Sequence, residues 1–527
     1  MRLTIDESKI PEEDKRNSTV LLLLEILRQQ GELIQQLKDE IARLKGHNQR
    51  PKIPPSQLEG SKKRNKKRRG KKRPGSKKRH KTAKLEIHDT IAIEPDHIPK
   101  GSVFKGYNDF VVQGITIGAN NIRYRLKTYE TPDGDYICAK LPQPLKGKHF
   151  SPKLISFILY QYYHAHVTQP LLLEQLLEFG IEISNGQLNN ILIENKEDFH
   201  QEKNDILATG LEVSAYINVD DTGARHKGKN GYCTHIGNEM FSYFESTGSK
   251  SRINFLRLLR AGNKDFIINR DAIAYMKANR LSKYVLKPIL AKVGHMYAND
   301  DQWHEFLAQN GIVRPYHQRI ATEGALIGSI VEHGISENLV IISDDAGQYH
   351  VLMYGLCWIH AERTINKIIP FSDEAEKDLE AIKDRIWHLY KGLKRYKKRP
   401  SAKSKKLLES KFDALFTTKT HSATLNLALK QLYKNKSGLL LVLHRPDIPL
   451  HNNIAETAIR EYVKKRKISG STRSETGRQC RDTFTSLKKT CRKLGISFWQ
   501  YLNDRIMDTG YIPNLSDVIR QQTLRPG

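Results

Sequence analysis

An α/β protein is the expectation from this sequence, on three observations. Residues 339–344 (LVIISD) form a β-branched-rich run typical of a strand buried on both faces. Helical periodicity takes over on either side of such runs from residue 151 onward. With 527 residues and roughly 150 residues per domain, the chain has room for several units around more than one core.

Taken in order, the apolar residues of the first segment fall on a heptad, with Val20, Leu27, Ile34 and Ile41 at a and Leu23, Leu37 and Leu44 at d, broken only by Gln30. This predicts an N-terminal coiled-coil helix over 1–50 and self-association as a dimer or higher oligomer; the alternative is an amphipathic helix packed on its own domain. Residues 51–82 carry no hydrophobic period. Within them, 61–81 (SKKRNKKRRGKKRPGSKKRHK) hold 14 of the positive charges and no acid, so a disordered basic linker that contacts phosphates is expected there. The residues read as phosphate contacts are Lys62, Lys63, Arg64, Lys66, Lys67, Arg68 and Arg69. Between 83 and 147 four short β-type runs (87–93, 110–117, 122–129 and 136–141) separated by turn residues predict a small β unit. Over 148–210 two short helices, a Gly180 stop and a third helix opened by Ser184 predict a bundle that is either helix-turn-helix-like and DNA-binding or packing alone.

From 211 to 470 the pattern is α/β: strands at 211–220, 232–237 and 240–245, a helix near 255–259, the 339–344 strand, and a helical insertion over about 372–440. Helices near 454–463, 480–494 and 497–505 follow, the last two in a basic C-terminal region, 471–527.

Net charge selects a partner class. Lys plus Arg number 87 against 58 Asp plus Glu, a balance of +29, which points to a polyanion. The basic run does not explain it alone, because the rest of the chain keeps +15. No apolar run approaches the ~18 residues of a membrane span, so no membrane partner is expected. Five cysteines, none in a C-x-x-C pair, and acids ahead of the first leucines argue against a disulfide framework and a secretory signal, and predict a cytoplasmic setting.

Two of the strongest strands end in paired aspartates, Asp220-Asp221 and Asp344-Asp345. Strand carboxyl ends are where α/β sheets bind ligands, and carboxylates clustered there repel one another unless a cation intervenes. Mg²⁺ takes such oxygen ligands, and two ions can clamp both oxygens of a phosphoryl displacement. A third acid is required, and Glu456 stands at the head of a basic stretch: from Arg460 to Lys493 there are 12 Lys plus Arg against three acids. Asn453 and Glu456 equally fit an N-cap and its N3 partner, a capping box with no metal, and spacing alone leaves the two readings open.

The strings VDDTGARHKGKNGY, IISDDAGQYHVLMYGLCWIHAER and LHNNIAETAIREYVKKRKISGSTRSETGRQ, in that order, resemble the signature blocks of the D-D-E transposases of the insertion sequence 66 family, and the likeness spans most of 18–508. It implies an RNase H-like catalytic core with helical insertions. It also implies a transposase that cleaves and joins DNA strands at the ends of a bacterial insertion sequence. The family's acids fall on Asp220, Asp344 and Glu456, as catalytic residues and ligands of two Mg²⁺ ions, with Mn²⁺ able to substitute; Asp221, Asp345, Cys357, His360, Asn452 and Asn453 are possible supporting residues. Arg460, Lys464, Lys465, Arg466 and Lys467 are expected on DNA. The implied partners are double-stranded DNA (element ends and target) and accessory transposition proteins, in the bacterial nucleoid. The chain departs from the family in having only Cys138 where a cysteine-rich zinc segment is usual. A catalytically inactive DNA-binding derivative and a nuclease without joining activity are the rival readings.

Overall fold

The computed structural model describes residues 86–524, apart from 108–109, 143–144, 146, 148, 336–337 and 371, together with Leu58. The heptad helix, and the basic run with Lys62 through Arg69, lie outside the described residues.

Of the four β-type runs expected between 85 and 141, only the last two yield strands, β1 (Thr128–Glu130) and β2 (Tyr136–Cys138), an antiparallel pair. The earlier runs form no strand among the described residues. Ile91, Phe110 and Val112 are 78%, 90% and 78% exposed: no second layer faces them, and alternation makes a sheet only where one face can be buried.

The next three helices match the expectation. α1 (Pro152–Leu159) is capped by Ser151, whose Oγ accepts from Leu154 N at 3.3 Å, and continues as a π-turn over Tyr160–His164. α2 (Gln169–Glu178) stops before Gly180, which adopts φ +76°, a conformation that favours glycine. α3 (Asn185–Ile193) opens on a full capping box between Ser184 and Gln187. α4 (Glu197–Val213) then runs three residues into the span expected as strand, so β3 is Tyr216–Gly223.

β3, β4 (Tyr232–Gly237) and β5 (Ser242–Thr247) are antiparallel neighbours. After them comes a helical lobe: α5 (Arg252–Leu259), β6 (Phe266–Ile267), α6 (Arg270–Ala278), α7 (Lys283–Leu290), β7 (Met296–Tyr297), α8 (Asp300–Gln309) and α9 (Pro315–Glu332). Within it a strand–helix unit occurs twice. β6 and β7 pair antiparallel, Asn269 and Asn299 cap the helices that follow, and Arg280 (φ 55°) and Gly311 (φ 67°) turn the chain after each.

The chain returns as β8 (Val340–Ser343) and β9 (Met353–Leu356), completing a five-stranded mixed sheet in the order β5-β4-β3-β8-β9, with β3, β8 and β9 parallel. β8 explains its own sequence. Ile341 belongs to the core shared with α1 through α9, whereas Val340 and Ile342 belong to a second core on the other face. That second core is built by α10 (Trp358–Asn366), α11 (Asp373–Lys398), α12 (Ala402–Phe416), α13 (Ala423–Lys434) and α14 (Lys436–Leu439). α11 through α14 occupy the expected helical insertion.

Four helices close the chain: α15 (Asn453–Ser469), α16 (Glu475–Lys493), α17 (Phe498–Met507) and α18 (Leu515–Thr523). α15 ends at Gly470, φ 65°. α16 lies along the outer strand β5: Asp482 Oδ2, Ser486 Oγ and Thr490 Oγ1 accept from the backbone N–H groups of Ser246, Phe244 and Ser242 at 2.7, 2.9 and 3.1 Å. The match is geometric. Four helical residues rise about 6 Å and two strand residues about 6.8 Å, so an i, i+4, i+8 face meets every second residue of the strand.

Candidate active site

The carboxylates stand where register puts them. β3 pairs with β8 through Tyr216↔Val340, Ile217↔Ile341 and Asn218↔Ile342, so Asp220 and Asp344 lie level, each two residues beyond the last pair, on strands about 4.8 Å apart. Period two also separates the members of each pair. Asp220 shares the face of Asn218, over which the head of α15 lies: Asn218 Nδ2 donates to Asn452 Oδ1 at 2.9 Å. Asp221 takes the opposite face, where its carboxylate accepts from Gln348 Nε2 at 3.0 Å and Tyr349 Oη at 2.9 Å and pairs with Lys250. Asp345 is exposed, receives Asn435 Nδ2 at 2.7 Å and lies 3.6 Å from His350.

Asp220 is the electrostatically loaded member. Its Oδ1 accepts from Asp221 N at 2.8 Å. Burial first, then the nearby Asp344, Asp221 and Glu456, push its carboxyl up to about 7. No cationic side chain ranks among the dominant influences on it. Asp344 turns its own loop, Oδ1 accepting from Ala346 N at 3.2 Å.

Glu456 sits in the first turn of α15 and is held by Arg363 of α10, whose Nη1 and Nη2 donate to its two oxygens at 3.0 and 3.3 Å. His360 Nε2 approaches it at 3.6 Å and Arg460 at 3.9 Å. The capping box that spacing left open as an alternative does not form. Asn452, not Asn453, is the residue before the helix, and it makes no side-chain cap. Its amide is used elsewhere: Nδ2 donates to Val219 O at 2.7 Å, and the backbone N donates to Cys357 Sγ at 3.2 Å. The competing bonds win because Asn452 is buried against β3, where the strand's amide and carbonyl groups need partners. Asn453 is half-buried and its side chain makes no hydrogen bond among the described residues. Cys357 precedes α10 and serves Asn452, while His360 turns to Glu456, so the C-x-x-H pair is split between two tasks.

The basic residues after Glu456 divide in two. Arg460 (72% exposed side chain), Lys464 and Lys467 face solvent. Lys465 and Arg466 do not. Lys465 is buried, donates to Tyr162 O at 2.9 Å and lies 3.7 Å over the Tyr162 ring; burial, then Arg481 and Lys488, lower its affinity for a proton to about 7. Arg466 reaches Gly223 O and Thr222 Oγ1 at the end of β3. Both were expected on DNA from charge alone, but the 3.6-residue period turns them toward β3 and the π-turn.

Asn218, Lys250 and Arg363 are site residues that sequence reasoning missed. For Asn218 a signal existed, since it stands two before Asp220 on one strand face; Arg363 likewise lies one turn after His360 in the quoted block. Lys250 has none. The donors suit a hard divalent cation in kind: carboxylate oxygens gathered around a half-buried Asp220 whose own affinity for a proton is raised. Among the described residues, however, no three His, Cys, Asp or Glu side chains are grouped closely enough to hold an ion, and Glu456 is engaged by Arg363.

Residues 295–480, from β7 into α16, match the family described as Transposase IS66 family. The uncharacterized protein y4jO of Sinorhizobium fredii (strain NBRC 101917 / NGR234) is 41% identical over 303 residues, 57% of this chain and 94% of that protein. A mixed α/β transposase is the class that fold and match define. The chain belongs to the IS66 transposase family. No helix among the described residues is long and apolar enough to cross a membrane.

Proposed function

We propose that this transposase cleaves and joins DNA strands at the ends of its insertion sequence by metal-assisted phosphoryl transfer, in an RNase H-like core whose acids are Asp220, Asp344 and Glu456. The observation that carries the reading is the level placement of Asp220 and Asp344 at adjacent parallel strand ends, with the field of Glu456 reaching Asp220. Asp220 and Asp344 would hold two Mg²⁺ ions, or Mn²⁺, with Glu456 once it leaves Arg363. Bound there, such ions activate an attacking oxygen and stabilise the leaving one.

This chain's own residues do the rest. Asn452 fixes the head of α15 to β3, which sets Glu456 beside the strand ends. Arg363 neutralises Glu456 and, when released, is a forked cation beside the reacting phosphate. Arg460, Lys464 and Lys467 supply the phosphate contacts that hold a DNA strand across the site. α3 exposes Asn190, an amide side chain of the kind that reads adenine in a major groove, beside Asn185 and Gln187, which are exposed but already bonded to Gln169 and Ser184; Asn190 supports the helix-turn-helix reading of α1 to α3. The basic run, the heptad helix as oligomeriser and accessory proteins in the bacterial nucleoid belong to the same reading.

The test is incubation of the full chain with DNA carrying the element ends and Mg²⁺, followed by pre-cleaved ends with a target plasmid. Cleavage and joining are expected for the wild type. Asp220→Asn and Glu456→Gln should each lose about 10²-fold or more of the rate. Undiminished cleavage by Asp220→Asn would overturn the assignment, binding without cleavage would favour the inactive derivative, and cleavage without joining a nuclease.

A further inference from the structure

We propose that the cleft between α15, α16 and the start of α17 is a pocket for one unpaired nucleotide of DNA, its base against Trp499 and its phosphate on Arg492 and Lys489. The inference rests on the DNA-acting reading above and adds a site that reading does not use. The cleft holds about 600 Å³, within the range of small-ligand pockets. Its walls combine bare aromatic area with positive charge that one acid serves.

The aromatic wall is built by α1's π-turn and α17. Tyr160 stacks on His164 at 4.4 Å, and Trp499 stands perpendicular to Tyr160 at 5.5 Å. Trp499 is 37% exposed, whereas Trp303 and Trp358 are wholly buried. An indole left open in a polar cleft does not contribute its full area to folding, and a base is the flat apolar group that such a ring receives. The charged wall is α16. Lys488 and Lys489 approach the one acid of the cleft, Glu461, at 2.8 and 3.9 Å, and His166 shares that acid at 3.1 Å. Arg492 lies exposed beside them and makes no ion pair or hydrogen bond among the described residues. One carboxylate therefore serves several cations. Lys488 and Lys489 both hold their protons less firmly than usual, through burial first and then mutual repulsion with Arg492 and Lys464, partly offset by Glu461. A phosphate relieves that excess.

Position gives the pocket its use. Glu461 follows Glu456 by five residues on α15, a rise of about 7.5 Å and a turn of about 140° around the helix. A strand that lies at the carboxylates and passes around α15 brings a nucleotide a few positions away to the cleft, and a nucleotide drawn out of the duplex there would hold the end open.

The experiment compares, by fluorescence anisotropy with the full chain, a fully paired duplex and the same duplex with one unpaired central base. Tighter binding of the second is expected. Trp499→Ala should weaken that binding about 5- to 150-fold with little change on the paired duplex. Arg492→Gln, at an exposed position that folding does not need, should weaken it and reduce the salt slope by about 1. Equal binding of the two duplexes by wild type overturns the pocket and leaves the DNA reading standing, as does equal loss on both in Trp499→Ala. Competition by free dAMP as effective as by the unpaired duplex also overturns it, in favour of a mononucleotide site. Failure to bind either duplex overturns the DNA reading itself.

Discussion

Asn452 and Asn453 are neighbours of one kind, and the fold gives them unequal work. Asn452 is buried with three bonds, to Asn218, Val219 and Cys357; Asn453 has no side-chain bond among the described residues. Asn452→Ala strands Asn218 Nδ2 and Val219 O in the interior, so it should cost about 2–4 kcal/mol, while Asn453→Ala should stay within about 0.5 kcal/mol. Urea denaturation of the two variants checks this, and the reverse order would restore Asn453 as the cap. At this scale the sequence made the aspartates legible because a run of apolar β-branched residues ending in two acids is rare and carries its own meaning. It could not reveal that Arg363 holds Glu456 or that Lys250 holds Asp221. Those partners meet only through tertiary packing, for which no spacing rule exists.

At the scale of the element, α15 carries two sites on different sides. Glu456 faces α10, and Glu461 faces His166 and Lys488. The hydrogen bond from His166, then those from Lys488 and the nearby charge of Lys489, hold the Glu461 carboxyl well below its ordinary 4.5. The unfolded chain therefore takes up a proton near pH 4.5 while the folded one does not, so this contribution is fully present above that pH and is lost as the pH falls below it. Glu461→Gln should lower Tm by several degrees at pH 7 and less and less as the pH is taken below 4.5; an equal deficit at every pH would show that shape, not charge, is what Glu461 supplies. Elements with capping residues were readable in order, α1 and α3 most clearly from Ser151 and Ser184. Of the lobe between β5 and β8 only α5 was, near 255–259, since the lobe's strands are two residues long and leave no alternation to detect. The runs before β1 failed for the opposite reason: they alternate, but nothing packs on them.

For the molecule as a whole, charge is the dominant property, and it is carried by more than one part. Deleting residues 61–81 should weaken DNA binding for all sequences alike. If about half of its 14 charges meet phosphates, the log–log salt slope should fall by roughly 6. A slope that does not move would mark the run as a spacer. The remaining +15 should still bind DNA, with Arg460, Lys464 and Lys467 among the contacts. The α/β class was legible at this scale because it follows from period changes along the chain. The lateral order β5-β4-β3-β8-β9 was not, because β3 and β8, which pair through Tyr216↔Val340, become neighbours only when the whole lobe folds out between them.

The helix laid along β5 decides how this protein can grow. A sheet ordinarily ends in a row of amides that accepts any further extended chain. Here three hydroxyl or carboxylate groups already occupy that row, and at the opposite margin α14 packs on β9, with Gly438 against Leu356 and Tyr354. The β5 margin is therefore no template. A further extended chain cannot be added at β5 unless α16 is first lifted away, so the sheet that carries the aspartates is closed to growth on that side.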